Sequence, residues 1–139
     1  MREILFRGKR TDDGKWVMGF YLFDKFDHYI ESYSIDENAH GVLYPYPQTD
    51  EVIPETVGQY TGLTDKVGKK IFEGDIVRCR GADYDRRAAM VGQIVFCDCC
   101  FYVDSNKSYD MTAMELCDRF EVVGNIHDNP ELLEVSEDG

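Results

Sequence analysis

Three thiols within four residues, Cys97, Cys99 and Cys100 around Asp98, mark where residue type and spacing come nearest to metal chemistry. A structural zinc ion takes four ligands converging tetrahedrally, usually from two Cys-x2-Cys knuckles. Strand alternation would put Cys97 and Cys99 on one face and Cys100 on the other. Only Cys79, Cys117 or His127 is left to complete a set, and none brings a second ligand beside it. His28 stands near Asp24 and Asp27, and His127 adjoins Asp128, but a general base needs a pocket and an orienting partner that adjacency in sequence does not supply. Glu73 and Asp75 read as two acids of a solvated turn. No glycine-rich phosphate loop, Ser-centred elbow or zinc-protease pattern occurs. The residues therefore predict no catalytic group, no cofactor and no metal ligand, and a protein that is not an enzyme.

The remaining chemistry is electrostatic. Fifteen Lys and Arg against 27 Asp and Glu give a formal charge of −12, which repels phosphate backbones and anionic lipid unless basic residues are segregated. Residues 1–55 carry −5, residues 56–100 carry +1 and residues 101–139 carry −8. The near-neutral middle holds the one basic group able to meet nucleic acid, namely Lys66, Lys69, Lys70, Arg78, Arg86 and Arg87, interrupted by Glu73, Asp75, Asp83 and Asp85. A solvated face is the expected role, with phosphate contact as the alternative. No apolar run approaches the roughly 20 residues of a membrane helix. Five cysteines, an odd number without a secretory signal, point to free thiols in a reducing cytoplasm.

These side chains must be held by β-structure, because apolar residues alternate between turn signals. With 43% apolar residues and 13% aromatics in 139 residues, the chain has enough surface to bury for a folded domain or two small ones. Ile4–Phe6, the turn Asp12-Asp13-Gly14-Lys15 and Trp16–Tyr21 predict a first hairpin. Tyr29–Ile35 predicts another strand, and Gly41–Tyr44 one more before Pro45 and Pro47 stop regular pairing. Past a connection over 44–54, short glycine-punctuated strands at Asp75–Arg80, Gly92–Phe96 and Phe120–Ile126 suggest a small SH3-like barrel closing over about Thr56 to Asp128. Thr112-Ala113-Met114-Glu115 reads as a capping box opening a short helix, and Asn129-Pro130 as the start of a terminal helical turn.

The blocks Gln59–Lys66, Gly68–Val77 and Glu121–Leu133, with the opening Arg2–Gly8, resemble the signature segments of the YopX family of phage and prophage proteins. After the Phe-Arg pair this chain has Gly8-Lys9-Arg10 where many members have Ala-Trp-Asp. The resemblance implies a β-rich α+β fold: an N-terminal α+β part over residues 1–55, an SH3-like barrel with a short helix over 56–134, and a frayed tail at 135–139. It further implies a phage- or prophage-encoded protein working in a bacterial cytoplasm, and it carries no activity, cofactor or catalytic residue with it.

The function expected from all of this is a non-enzymatic interaction or regulatory module docking on a host or phage protein, with a nucleic-acid-associated module as the alternative. Aromatic content beyond what one small core buries, together with free strand edges, adds an expectation of homo-oligomers.

Overall fold

The computed structural model describes residues 3–81, 89–105 and 111–134. The chain divides into two compact units, Met1–Gln59 and Tyr60–Gly139. The expected boundary at 55/56 falls in a 3-10 turn, Pro54–Thr56.

The first unit is an antiparallel sheet in the order β4-β3-β2-β1, formed by Leu43–Glu51, His28–Glu37, Trp16–Phe23 and Phe6–Lys9. Strand β1 also pairs with the start of β5 (Gly58–Thr64), Phe6 opposite Gln59 and Arg7 opposite Gly58. The first hairpin forms because Gly14, at φ 71°, reverses the chain, and Gly14 and Arg10 donate N–H groups to the Arg10 and Lys15 carbonyls. Arg10 then fastens the turn, its guanidinium 3.1 Å from Asp12 and 3.5 Å from both Asp13 and Asp50.

Strand β4 runs straight through Pro45 and Pro47, where the sequence predicted an interruption. The hydrogen bonds Asn38 N–H to Val42 C=O (3.0 Å) and Val52 N–H to His28 C=O (2.9 Å) fix the phase of the ladder. In that phase even-numbered residues of β3 and β4 exchange hydrogen bonds. Pro45 and Pro47, opposite Ile35 and Tyr33, stand at positions whose N–H would point away from β3. The prolines cost the sheet nothing and strip donors from its outer edge.

In the second unit the rest of β5 pairs with β6 (Lys70–Phe72). A five-stranded antiparallel sheet has the order β10-β9-β8-β7-β11, from Met111–Ala113, Cys100–Asp104, Ala89–Cys97, Asp75–Arg80 and Asp118–Asn125. Its core is Ile71, Val77, Cys79, Ile94, Val103, Met114 and Phe120. The β5–β6 connection is tied down by one carboxylate. Asp65 Oδ1 accepts the N–H groups of Val67 (3.0 Å) and Lys69 (2.9 Å), and Oδ2 that of Val122 in β11 (3.1 Å). Burial alone would raise the Asp65 pKa, but the N–H groups of Val122, Lys69 and Val67 outweigh it and hold the carboxyl below the usual range. Asp75, 1% exposed, does the same for the next turn by accepting the Phe72 N–H at 2.8 Å, with Gly74 at φ 92° between them.

The expected fold class does not hold. Strands dominate both units, and the helical content of the described residues is three 3-10 turns of three or four residues, so there is no N-terminal α+β part. The expected closed barrel gives way to antiparallel sheets, β10 and β11 lying at the edges of the second unit's five-stranded order. The helix expected from Thr112–Glu115 is also absent. Thr112 is β-branched and pairs with Val103 in β10, which leaves only Met114–Leu116 for a 3-10 turn with no side-chain cap. At the C-terminus the turn Pro130–Leu133 forms at its expected place, but the Asn129 amide caps nothing in it, accepting instead from the Asn125 N–H at 3.3 Å.

Asp65→Ala strands three N–H groups and is expected to lower stability by about 1–3 kcal/mol in urea melts. Because the folded pKa lies below the unfolded one, the carboxylate contributes fully above about pH 4, its unfolded value, and its contribution disappears as pH falls through the folded value. The variant's deficit should therefore shrink in acid. Gly92→Ala should cost about 1–3 kcal/mol by overpacking, since a Cβ there would lie 2.6 Å from the Asp104 carbonyl oxygen and 2.8 Å from its carbon, backbone atoms that cannot swing aside. Melts of Gly92→Ala matching those of the unsubstituted chain would contradict it.

Candidate interaction surface

Alternation along β2, β3 and β4 gives the first unit's sheet two faces of different fate. One turns inward around Ile30, 0% exposed, with Val52 beside it, although Phe23, Tyr44 and Tyr46 farther out on the same side are 39–69% exposed. On this face Tyr21 stacks on His28 and packs at a tilt against Phe6, and its hydroxyl hydrogen-bonds His28 Nδ1. His28 is thus engaged by an aromatic neighbour, while Asp24 accepts the N–H groups of Phe26 and Asp27 within the β2–β3 turn.

The opposite face is apolar and open. Register places Phe20 opposite Glu31, Tyr33 opposite Pro47, Ile35 opposite Pro45 and Glu37 opposite Leu43, all on one side. Met18, Phe20, Leu22, Tyr33, Ile35 and Leu43 on that side are 44–66% exposed. Phe20 and Tyr33 meet edge to face at 6.3 Å, and the Tyr33 hydroxyl donates to Glu31 at 2.9 Å. Glu31, Glu37 and Glu51 put acids among and around these groups. A soluble chain rarely leaves so many neighbouring large apolar side chains on one surface, and such patches mark interaction sites.

Among the described residues the basic side chains form no comparable surface. Lys66 Nζ lies 2.6 Å and Arg78 Nη1 3.8 Å from the Glu121 carboxylate, so two of the candidates converge on an acid. Lys66 draws the Glu121 carboxyl below its usual range. Lys70 sits over the Tyr60 ring at 5.2 Å. Lys69 is exposed on the turn that Asp65 holds. Arg86 and Arg87 lie outside the described residues.

The thiols are distributed differently from the sequence expectation. Asp98 and Cys99, at φ 50° and 63°, form a two-residue turn between β8 and β9, which makes Cys97 and Cys100 direct cross-strand partners on one face. Cys79 belongs to the core, and a hydrogen bond with Cys117 together with burial pushes its thiol up. A depression of about 380 Å³ beside Cys117 is lined by Arg80, Asp118 and Arg119 among others. No group of three or more His, Cys, Asp or Glu among the described residues is arranged to hold a metal ion. None of the described helices is long and apolar enough to cross a membrane.

A family model described as YopX protein matches residues 5–134. The fold is similar to that of protein EF1440 from Enterococcus faecalis, known from a crystal structure, with a TM-score of 0.56 at 24% identity over 96% of this chain and 99% of that one. No curated protein matches the sequence.

Sequence reasoning missed the open face. Its signal was present in Tyr33 and Ile35 alternating with Ser32, Ser34 and Asp36, a pattern that marks a shared face without saying whether it is covered. If the face is surface and not core, Phe20→Thr and Ile35→Thr should each cost less than about 1 kcal/mol. Ile30→Ala on the inner face should cost about 2–5 kcal/mol. Urea melts of the three variants make the comparison, and equal losses would contradict the assignment.

Proposed function

The chain belongs to the YopX protein family, and from that premise we propose that it is a non-enzymatic interaction module that docks a host or phage protein on the open face of β2, β3 and β4. The observation that carries this is the set of six large apolar side chains exposed side by side on one sheet face. Charge complementarity selects the partner's chemistry. Glu31, Glu37 and Glu51 share the face, and residues 1–55 carry −5, so the matching surface is an apolar patch rimmed by Lys and Arg. Docking proceeds through the face because Pro45 and Pro47 blunt the β4 edge against strand addition. Neither metal nor nucleotide is required. A nucleic-acid role fits less well, since Lys66 and Arg78 are matched by Glu121 and the net charge opposes phosphate. A phage- or prophage-encoded protein working in a bacterial cytoplasm is part of this proposal, and the family resemblance supports it.

The test is affinity capture from a lysate of the bacterium carrying the gene, with and without nuclease, followed by titration of the purified partner. The expected result is a nuclease-resistant partner whose affinity falls about tenfold or more with Phe20→Thr plus Ile35→Thr. Capture lost to nuclease and falling steeply with salt overturns the proposal in favour of nucleic acid. A second copy of this chain as sole partner replaces docking by self-association. Capture indifferent to the substitutions removes the face from the account.

A further inference from the structure

The β8–β9 turn carries chemistry that docking does not use. We infer that Cys97 and Cys100 form an oxidisable dithiol, a site of reversible modification by small-molecule disulfides. The two residues are cross-strand partners beside a two-residue turn, the position where antiparallel strands exchange both backbone hydrogen bonds. Such pairs hold their Cα atoms about 5.5 Å apart, inside the roughly 4.4–6.8 Å span that a disulfide bridges, and closure draws their Cβ atoms together by about 1 Å, a strain that makes the bond readily reduced again. Cys100 Sγ rests 3.5 Å from the Phe101 carbonyl and is in no disulfide. Both thiols are partly exposed, unlike Cys79. The turn is held in place by its own ladder and by the edge-to-face contact of Phe96 and Phe101 at 5.0 Å. Cys99, the fully exposed thiol, lies in the turn itself and outside the paired positions.

The chemistry is thiol–disulfide exchange. One thiol of the pair, as thiolate, attacks a sulfur of the external disulfide, forming a mixed disulfide and releasing one small thiol. The second thiol then attacks the protein sulfur of that mixed disulfide, forming the Cys97–Cys100 bond and releasing the other small thiol. Two protein thiols lose two electrons and two protons, and the external disulfide gains both. The negative charge of Asp98 holds the Cys97 thiol above its ordinary pKa, which slows attack and suits a site that follows the ambient thiol balance over a fast catalyst.

The intact chain, equilibrated with graded ratios of reduced to oxidised glutathione and then alkylated, reads this out by mass spectrometry. Accessible thiols, counted after unfolding, should fall from five to three as the oxidised form is raised, with the linkage mapped between Cys97 and Cys100 and reversed by dithiothreitol. Cys99→Ser should close as the unsubstituted chain does, whereas Cys97→Ser and Cys100→Ser should not. A bond involving Cys99, a bond between Cys79 and Cys117 in its place, or glutathione adducts with no internal bond would each overturn the inference.

Discussion

The register of β3 on β4 is the constraint on which the first unit depends. It is fixed at both ends of the pair, by the Asn38–Val42 and Val52–His28 backbone hydrogen bonds. A slip of one residue taken up by β3 would turn Ile30 outward and bring Tyr33 and Ile35 toward the interior. Taken up by β4, it would aim the missing donors of Pro45 and Pro47 into the ladder, removing two hydrogen bonds. The prolines therefore oppose a one-residue slip of β4. In the observed register the same residues that stabilise the sheet decide what it displays, an apolar surface bordered by an edge that cannot easily take up another strand.

In the second unit the equivalent role belongs to two carboxylates turned inward. Asp65 and Asp75 spend their charge on backbone N–H groups, so neither is available as an acid, base or metal ligand for a substrate. Glu121 is likewise occupied by Lys66 and Arg78. Acids of the second unit thus hold turns, and cations neutralise a third acid in β11. Chemistry remains concentrated in the thiols, whose positions follow from the turn at Asp98 and Cys99 and not from strand alternation.

The sequence made the strands legible where alternation and turn residues agreed. The Asp-Gly turn of the first hairpin appears as read, whereas in Asp75–Arg80 Val77 and Cys79 do share the core but Asp75, expected in a solvated turn, and Ile76 are buried as well. What it concealed was tertiary. Alternation says that Tyr33 and Ile35 share a side, but only packing decides that Ile30 is covered and they are not. Thr112–Glu115 carries the letters of a capping box, yet pairing of Thr112 with Val103 wins because one strand ladder satisfies more backbone than a three-residue turn can. Pro45 and Pro47 looked like breakers because the phase of hydrogen bonding is invisible without a partner strand. Cys97 and Cys100 looked opposed because a two-residue turn, built here without glycine, reverses the count of faces.

Side-chain footprinting by hydroxyl radicals, on the chain alone and in complex with its captured partner, tests docking on this face most directly. Met18, Phe20 and Tyr33 should become protected in the complex, while Phe26, 79% exposed in the β2–β3 turn and outside the set of side chains on that face, should react as before. Unchanged reactivity at Met18, Phe20 and Tyr33 in a stable complex would contradict the account.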